Sequence, residues 1–378
     1  AKLPPVFFNL LRTRPDRHEI MMYETDNLRI TGTQKMVSSQ DLREEFPVTE
    51  TASETVHHSR AAIQKILHGE DDRLLVVVGP CSIHDIDAAL DYAKKLKAAC
   101  DKHADELLIV MRVYFEKPRT TVGWKGLIND PDLDDSYKIN KGIRQARELL
   151  WRLAEDGIPA GVEFLDLTTP QYLADLVSWG AIGARTTESQ GHRELASGLS
   201  CPVGFKNGTG GSIKIAVDAV GAAHYPHHFL SLTKPGEWAI FATEGNRDTH
   251  IILRGGSNGP NFDADSVAAS VALLEQAQLP GRLMIDFSHA NSRKQHKKQL
   301  EVGDDVAGQL SAGSQAIFGV MIESHLKEGA QKLVPGVAPE YGVSITDACI
   351  DWQDTGKLLA QLADAVAERR DLRANESD

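Results

Sequence analysis

Short apolar runs rich in β-branched residues recur along the chain from residue 74 onward, and longer amphipathic stretches separate most of them. A run that is apolar throughout is typical of a parallel strand buried on both faces, whereas apolar residues three and four apart predict a helix. Eight runs are strand candidates, namely Leu74–Val78, Leu107–Met111, Ala160–Phe164, Ala181–Ala184, Pro202–Phe205, His250–Leu253, Leu283–Ile285 and Ala316–Ile322. The helix candidates between them include Ile86–Ala99, Lys141–Asp156, Gln171–Trp179 and Asp265–Gln278.

Eight strand–helix units in one chain predict an α/β fold, a (β/α)8 TIM barrel. A doubly wound open sheet is the alternative. The first strand is not followed by the Gly-x-Gly-x-x-Gly pattern that such a sheet uses to bind dinucleotides, so the barrel is favoured. We expect it to occupy residues 46–369.

Three segments lie outside this alternation. Residues 1–45 predict an N-terminal extension, an oligomerisation or regulatory arm that holds one possible strand, Asn27–Ile30. Two strand-like runs within residues 227–243 flank Lys234-Pro235-Gly236, which predicts a β-hairpin inserted between barrel units five and six. Ser53–His68 predicts a helix before the barrel, and Leu358–Arg369 predicts a final helix followed by a frayed tail at 370–378.

Composition narrows the function classes. The chain has 378 residues and a formal net charge of −12, which argues against nonspecific binding to nucleic acid or to an anionic membrane. No apolar run approaches the roughly 20 residues of a membrane span, and near the N-terminus the apolar residues precede the arginines, unlike in a signal peptide. The four cysteines show no paired spacing, so we expect free thiols and a cytoplasmic protein.

Charged side chains follow the predicted strands. Barrel enzymes place their chemistry at the C-terminal ends of strands, so these residues should meet around one mouth. Five of them form what we call the cation set: Arg112, Lys117, Arg185, Lys206 and Arg254. Five positive charges favour a small ligand with several negative ones, such as a phosphorylated carboxylate. For each cation taken alone, a structural salt bridge is the alternative.

A second group of strand-end residues offers a thiolate, an imidazole and carboxylates. Cys81, His289, Glu323 and Asp347 make a mixed donor set that suits Mn, Fe, Co or Zn better than Mg or Ca. The spacing is long and does not form a compact motif. A buried cysteine is more often a small hydrophobe, and His84 and His325 compete as ligands.

Four motifs carry a resemblance to a known family. They are GPCSIHD at residues 79–85, MRVYFEKPRTT at 111–121, GFKNGT at 204–209 and DFSHAN at 286–291. In these motifs the chain closely resembles the type I 3-deoxy-D-arabino-heptulosonate 7-phosphate (DAHP) synthases of the feedback-regulated, microbial alpha subtype. The resemblance extends from about Glu24 to Ala367. It implies a (β/α)8 enzyme of the shikimate pathway that condenses phosphoenolpyruvate (PEP) with erythrose 4-phosphate.

The resemblance also assigns roles to residues. It implies that Cys81, His289, Glu323 and Asp347 bind one divalent metal ion, with Mn²⁺ first and Fe²⁺, Co²⁺ or Zn²⁺ as alternatives. It implies that PEP is bound by the cation set, Glu163 and the Ala184 amide, and the phosphate of erythrose 4-phosphate by Arg119 and Thr120. Lys117 is the first candidate for a proton donor, because neighbouring cations should lower its pKa. Glu163 or Asp347 would organise the water.

In this family the N-terminal segment and the hairpin build a site for an aromatic amino acid. The residues placed there are Leu167, Gln171, Leu195, Leu199, Ser200, Phe229 and Ser231, with Asp26 and Asn27 reaching in from a neighbouring subunit of a homodimer or homotetramer. Ser231 resembles the phenylalanine-sensitive type and Asn27 the tyrosine-sensitive one, and tryptophan stays open. The alternative is that these residues only pack the hairpin.

Two competing functions stay in view. A related synthase that joins PEP to another phosphosugar, such as an octulosonate 8-phosphate synthase, is disfavoured by the Lys-Pro-Arg-Thr sequence at residues 117–120. An inactive paralogue that only senses an aromatic amino acid is disfavoured by the four intact candidate ligands.

Overall fold

A computed structural model describes residues 25–119, 123–334 and 336–377, with side chains to residue 375. Eight of its strands close into one parallel barrel, and the other two form an antiparallel hairpin. The barrel strands are β1 (Leu74–Gly79), β2 (Leu107–Arg112), β3 (Ala160–Glu163), β4 (Trp179–Ile182), β5 (Val203–Lys206), β8 (Thr249–Leu253), β9 (Leu283–Asp286) and β10 (Ile317–Glu323). The hairpin strands are β6 (His228–Leu232) and β7 (Trp238–Ala242).

Helices precede the barrel, connect its strands and follow the last of them. They are α1 (Ser39–Glu45), α2 (Glu50–His68), α3 (Ile86–Lys102), α4 (Ile139–Glu155), α5 (Pro170–Leu173), α6 (Gln190–Gly198), α7 (Lys214–Ala223), α8 (Ala264–Gln276), α9 (Lys298–Ser311) and α10 (Trp352–Ser377). A 3-10 helix at Ala174–Leu176 follows α5. No helix within the described ranges is long and apolar enough to cross a membrane.

The strand pairing confirms the predicted (β/α)8 barrel with an inserted hairpin. Strand β1 pairs with both β2 and β10, which closes the cylinder. Strand β5 pairs directly with β8, so the intervening hairpin lies outside the barrel sheet. All strands of the barrel run parallel, and their C-terminal ends therefore share one rim.

The barrel interior explains why the strands are apolar throughout. Val77, Val110, Ile252 and Met284 are fully buried in one cluster with Trp179, the largest fully buried side chain. Trp179 Nε1 donates to His250 Nε2 at 3.3 Å, and burial lowers the pKa of His250 to about 3, so this imidazole is neutral and can accept. Because both residues lie at the start of their strands, they close the end of the barrel opposite the shared rim.

Some element boundaries were predicted wrongly. Helix α2 begins earlier than expected, because Thr49 and not Ser53 caps it, accepting from the Ala52 amide at 3.2 Å. The helix predicted over Gln171–Trp179 is only α5 and the 3-10 turn. Trp179 already belongs to β4, where pairing with β3 and burial of the indole override the helical pattern.

Both chain ends also differ from expectation. Residues 27–30 form a turn and not a strand: Ile30 N donates to Asn27 O at 3.1 Å, and Asn27 adopts a positive φ of 56°, which asparagine tolerates. The described residues 25–36 belong to a different unit from the residues that follow Met36. Helix α10 continues through the tail predicted to be frayed, and Arg370 Nη2 lies 2.6 Å from Asp72 Oδ1. The proposed domain limits stay a prediction.

Candidate active site

A cavity of about 430 Å³ opens where the C-terminal ends of the barrel strands meet. It brings together residues that the sequence predicted from separate strands. Those in its lining are Lys117, Arg119, Glu163, Ala184, Arg185, Lys206, Arg254, His289 and Asp347. Cys81 and Glu323 are fully buried and contact this lining, and Arg112, 1% exposed, lies behind them. Thr120 lies outside the described residues.

Arg112 is held in a fully desolvated ion pair. Its Nη2 donates to Glu323 Oε1 at 2.8 Å and to the Cys81 carbonyl at 3.1 Å, and its Nε donates to the Pro80 carbonyl at 3.1 Å. The guanidinium carbon also lies 3.7 Å from the ring centre of Tyr114. The guanidinium is therefore immobilised between β1, β2 and β10, the arrangement expected of a preorganised charge.

The candidate metal ligands converge. The ligand atoms of Cys81, Glu323 and Asp347, which we call the donor group, all lie within 4.8 Å of one another. Cys81 Sγ is 3.7 Å from Asp347 Oδ2, and His289 Nε2 is 4.0 Å from Glu323 Oε1. One thiol, two carboxylates and an adjacent imidazole fit a divalent transition metal. Among the described residues, none of the three candidate histidines, His289, His84 and His325, is part of this group, and His289 is placed beside it by its distance to Glu323.

The protonation of these groups also suits a cation. Burial first, and then the charge of Glu323, raises the pKa of the Cys81 thiol, so the sulfur keeps its proton unless a positive ion displaces it. Burial would raise the pKa of Glu323 as well, but Arg112, His289 and Lys117 outweigh it and lower the value to about 2. The site therefore combines a carboxylate that is always charged with a thiol ready to lose its proton to a metal.

Lys117 lies against the donor group. Its Nζ donates to the Cys81 carbonyl at 3.1 Å and contacts Cys81 Sγ at 3.2 Å. The expectation that neighbouring cations lower the pKa of Lys117 was wrong. Burial and Arg112 do lower it, but the Cys81 sulfur in its thiolate form and the carboxylates of Glu323 and Glu163 raise it more, so the pKa of Lys117 is raised and the amine stays protonated.

Asp286 joins two of the predicted site residues. Lys206 Nζ donates to Asp286 Oδ2 at 2.9 Å, and His289 Nδ1 lies 2.9 Å from the same oxygen. Burial disfavours the charged carboxylate, yet His289 and Lys206 hold its pKa well below the usual range. A carboxylate behind a candidate metal-ligating histidine orients the ring. The sequence held a signal for a role of Asp286 in the site, because this residue ends a barrel strand.

Arg254 and Arg185 face the cavity, and neither has an ion pair with a carboxylate among the described residues. Arg254 is half-buried, its Nη1 donates to the Gly255 carbonyl at 3.3 Å, and its Nε has no described hydrogen-bond partner. Burial lowers the pKa of Arg254, against the pull of Asp286. Arg185 lines the cavity from an exposed position after β4, two strands from Arg254 around the rim. Guanidinium groups that face a cavity without a carboxylate partner favour an anionic ligand.

Glu163 ends β3 and is 8% exposed in the cavity wall. Its carboxylate lies against Gly183, where an added Cβ would collide with Glu163 Oε1. The Glu163 carboxylate can therefore occupy this position in the cavity wall only because residue 183 is a glycine.

The loop after β2 carries the residues predicted to bind erythrose 4-phosphate. Lys117 N donates to Lys125 O at 2.9 Å, so the loop folds back on itself. Gly126 permits this with a φ of 115°, and a Cβ there would collide with the Phe115 carbonyl. Arg119 is exposed at the cavity, with Nε donating to the Trp124 carbonyl at 2.7 Å.

The residues predicted to bind an effector lie on segments that contact one another. The Gln171 carbonyl accepts from Lys234 Nζ at 2.6 Å, which ties the start of α5 to the hairpin turn. Ser197 and Thr243 share a 2.7 Å hydroxyl contact between α6 and the hairpin. The predicted effector residues differ in exposure: Leu195 and Ser231 are buried, Leu199 and Phe229 are half-buried, and Leu167 and Ser200 are exposed. Asp26 and Asn27 belong to a different unit of the chain.

Sequence reasoning missed the residues that support the site from behind. Ser288 Oγ donates to Glu323 Oε2 at 2.8 Å. Gln299, on α9, exchanges two 2.9 Å hydrogen bonds with the backbone of Glu323. Ser288 lies inside a recognised motif, whereas Gln299 has no sequence signal, because a glutamine on an amphipathic helix is usually a surface residue.

Comparisons with known proteins identify the family of this chain. Residues 45–360 match the family model described as the DAHP synthetase I family. The Phe-sensitive phospho-2-dehydro-3-deoxyheptonate aldolase of Escherichia coli K12 is 62% identical over 350 residues, which is 93% of this chain and all of the relative. The Trp-sensitive enzyme of Salmonella typhimurium LT2 is 54% identical over 348 residues, which is 92% of this chain and all of the relative.

A solved structure extends the likeness to three dimensions. Phospho-2-dehydro-3-deoxyheptonate aldolase from Francisella tularensis SCHU S4 superposes with a TM-score of 0.88 at 55% identity, covering 90% of this chain and 99% of that one. The family match, the high identity and the shared fold all span most of the chain. This chain therefore belongs to the DAHP synthetase I family.

Proposed function

We propose that this chain is a DAHP synthase, which condenses PEP with erythrose 4-phosphate and water to give DAHP and inorganic phosphate, the first step of the shikimate pathway. The observation that carries the proposal is the meeting of the cation set and the donor group at the rim of one barrel. The names of the relatives support the same reaction.

PEP is the ligand whose charges fit the cation set. It carries a phosphate and a carboxylate on three carbons, and Lys117, Arg185, Lys206 and Arg254 line a cavity of suitable size. Arg185 and Arg254 would bind the anionic groups with bidentate geometry. Glu163 and the Ala184 amide lie in the same wall, the amide as a donor to a phosphate oxygen. Arg119 and Thr120 would bind the phosphate of erythrose 4-phosphate.

Cys81, His289, Glu323 and Asp347 would hold one divalent ion, for which we propose Mn²⁺, with Fe²⁺, Co²⁺ and Zn²⁺ as substitutes. When bound, such an ion supplies Lewis acidity toward the aldehyde oxygen of erythrose 4-phosphate. Asp286 would orient His289, and Ser288 would orient Glu323, so that both ligands are preorganised.

The protein side chains position the reacting atoms and move protons. C3 of PEP forms a bond to the aldehyde carbon, and positive charge develops at C2. Water then adds to C2 with loss of a proton, and the C2–O bond breaks to release inorganic phosphate. Lys117, which stays protonated, is placed to give a proton to the former aldehyde oxygen. Glu163 or Asp347 would organise the water, and the cations stabilise the departing phosphate.

The test is loss of PEP and release of phosphate after addition of erythrose 4-phosphate, with EDTA-treated protein before and after addition of Mn²⁺. We expect the amount of PEP lost to equal the amount of phosphate released, and both to require added metal. We expect no reaction when arabinose 5-phosphate replaces erythrose 4-phosphate. Lys206→Gln should lower the rate by at least a hundredfold. Lys214→Gln is the matched control, because Lys214 is an exposed lysine paired with Asp218 on α7. Turnover with arabinose 5-phosphate alone would contradict the proposal.

We also propose feedback inhibition by an aromatic amino acid within a homodimer or homotetramer. The relatives named Phe-sensitive and Trp-sensitive support the class of effector. The rate should fall with millimolar Phe, Tyr or Trp. Gln171→Ala should relieve this inhibition, because it removes a side chain proposed to bind the effector. The variant keeps the Gln171 carbonyl that accepts from Lys234, so the contact between α5 and the hairpin is retained. Gln190→Ala, a change of an exposed residue at the start of α6, is the control. Unchanged rates with all three, or a monomer by sedimentation, would contradict it.

A further inference from the structure

Three asparagines are buried behind the rim of the barrel. Asn207 directly follows Lys206 at the end of β5, Asn261 lies in the loop after β8, and Asn291 follows His289 in the segment after β9. They are 0%, 8% and 3% exposed. A buried amide side chain is retained only where its donors and acceptors are satisfied, so the partners show what each amide holds.

Asn207 connects the β5 end to the β8 end. Its Oδ1 accepts from the Arg254 amide at 2.8 Å and from Asn261 Nδ2 at 3.2 Å. Its Nδ2 donates to the carbonyls of Gly208 and Gly255, both at 3.0 Å. The backbones that carry Lys206 and Arg254 are therefore joined through one side chain.

Asn261 extends this connection to the β9 end. Its Oδ1 accepts from the Gly255 amide at 2.7 Å, and its backbone amide donates to Asn291 Oδ1 at 2.8 Å. Asn291 Nδ2 in turn donates to the carbonyls of Asp286 at 2.8 Å and of Leu253 at 3.1 Å. The network thus reaches Asp286, the carboxylate that binds both Lys206 and His289.

Close backbone packing gives these segments little room to adjust. Gly255 has a φ of 70°, and a Cβ there would lie 2.8 Å from the Asn291 amide. A Cβ on Gly256 would collide with the backbone of Gly211, in the loop after β5. The loops after β5, β8 and β9 therefore pack backbone against backbone. The spacing between these loops is set by the hydrogen bonds of the three asparagine side chains.

We infer that Asn261 is a positioning residue for PEP binding, which sets the place of Arg254 relative to Lys206 and His289 through the Asn207–Asn261–Asn291 network. The inference rests on the proposed function. Asn261 does not act on the substrate, since it is buried behind the segments whose cations line the cavity. Displacement of a binding group by about 1 Å is enough to reduce catalysis by roughly a hundredfold.

The test compares Asn261→Ala and Asn261→Asp with unaltered protein. Both variants should raise the KM for PEP, and the Kd for PEP measured by calorimetry without aldehyde, by roughly ten- to a hundredfold. The KM for erythrose 4-phosphate should change less than about threefold, because Arg119 is on a loop outside the network. Asn261→Asp should have an effect at least as large as Asn261→Ala, since it keeps the acceptor for Gly255 but sets a buried carboxylate oxygen against Asn207 Oδ1.

Asn246→Ala is the matched control. This asparagine is also buried, and its Nδ2 donates to three carbonyls, but it precedes β8 at the opposite end of the barrel. It should lower the melting temperature and leave the KM for PEP unchanged. Asn261 variants that bind PEP normally would overturn the inference even if they are less stable. Unaltered protein that binds no PEP would overturn the proposed function, and this inference with it.

Discussion

A buried carboxyl beside the cavity makes the stability of this protein depend on pH. Glu116 is 6% exposed, and Thr169 Oγ1 donates to its Oε2 at 3.1 Å. Burial first, and then the charge of Asp166, raises the pKa of Glu116 to about 8, although the hydrogen bond from Thr169 opposes this. At neutral pH the folded protein therefore holds this carboxyl as the neutral acid.

The direction of the effect follows from proton binding. The pKa of Glu116 rises from 4.5 in the unfolded chain to about 8 in the folded one, so the folded state binds more protons between these values. The contribution of Glu116 to stability is complete below about pH 4.5 and is lost as the pH rises through about 8. At about 1.4 kcal/mol for each pH unit, the loss amounts to about 5 kcal/mol.

Glu116→Gln should remove this dependence, because glutamine has nearly the same shape and still accepts from Thr169 but does not ionise. In urea unfolding followed by circular dichroism, the variant and the unaltered protein should be similar at pH 5. At pH 9 the variant should be more stable, by up to about 5 kcal/mol. Glu54→Gln, an exposed change on α2, should leave the pH profile unchanged. A stability difference between Glu116→Gln and the unaltered protein that stays constant from pH 5 to pH 9 would refute the reasoning.

Three further substitutions test the site. Cys81→Ala should weaken Mn²⁺ binding by at least tenfold in equilibrium dialysis, whereas Cys201→Ala, which removes another buried thiol, should not; equal affinities would contradict the ligand assignment. Asp286→Asn should weaken both Mn²⁺ and PEP binding by roughly ten- to a hundredfold, because it loosens a cation and an imidazole together, and an effect on stability alone would argue against this. Gly183→Ala should lower kcat by displacing the Glu163 carboxylate, with only a small change in melting temperature, and a normal kcat would mean that the carboxylate is not needed in that position.

Much of the fold could be predicted from the sequence, because burial leaves a plain signal in parallel strands. A strand such as β1 is covered on both faces and admits only apolar residues, so its pattern is hard to mistake. The hairpin was equally plain, with two alternating runs around Lys234-Pro235-Gly236. The α5 segment was not, because the apolar residues before Trp179 fit a helix as well as they fit a short turn leading into a strand.

The candidate site was predictable in its membership but not in its electrostatics. Strand ends bring Lys206 and Arg254 to one rim whatever the side-chain details. The pKa of Lys117 was predicted in the wrong direction, since no sequence pattern shows that its amine lies 3.2 Å from Cys81 Sγ. The role of Asn261 was equally hidden, because an asparagine seven residues after Arg254 reads as ordinary loop chemistry until the fold places it between two other amides.

The most direct test of the account is a crystal structure with Mn²⁺ and PEP, in which anomalous scattering from manganese locates the ion. We predict one strong peak among Cys81, His289, Glu323 and Asp347, with the PEP phosphate and carboxylate against Arg185, Lys206 and Arg254. A second carboxylate group, Glu328, Asp351 and Asp354, lies elsewhere on the chain and serves as the internal comparison. Manganese bound only there, or PEP bound away from the three cations, would contradict the account.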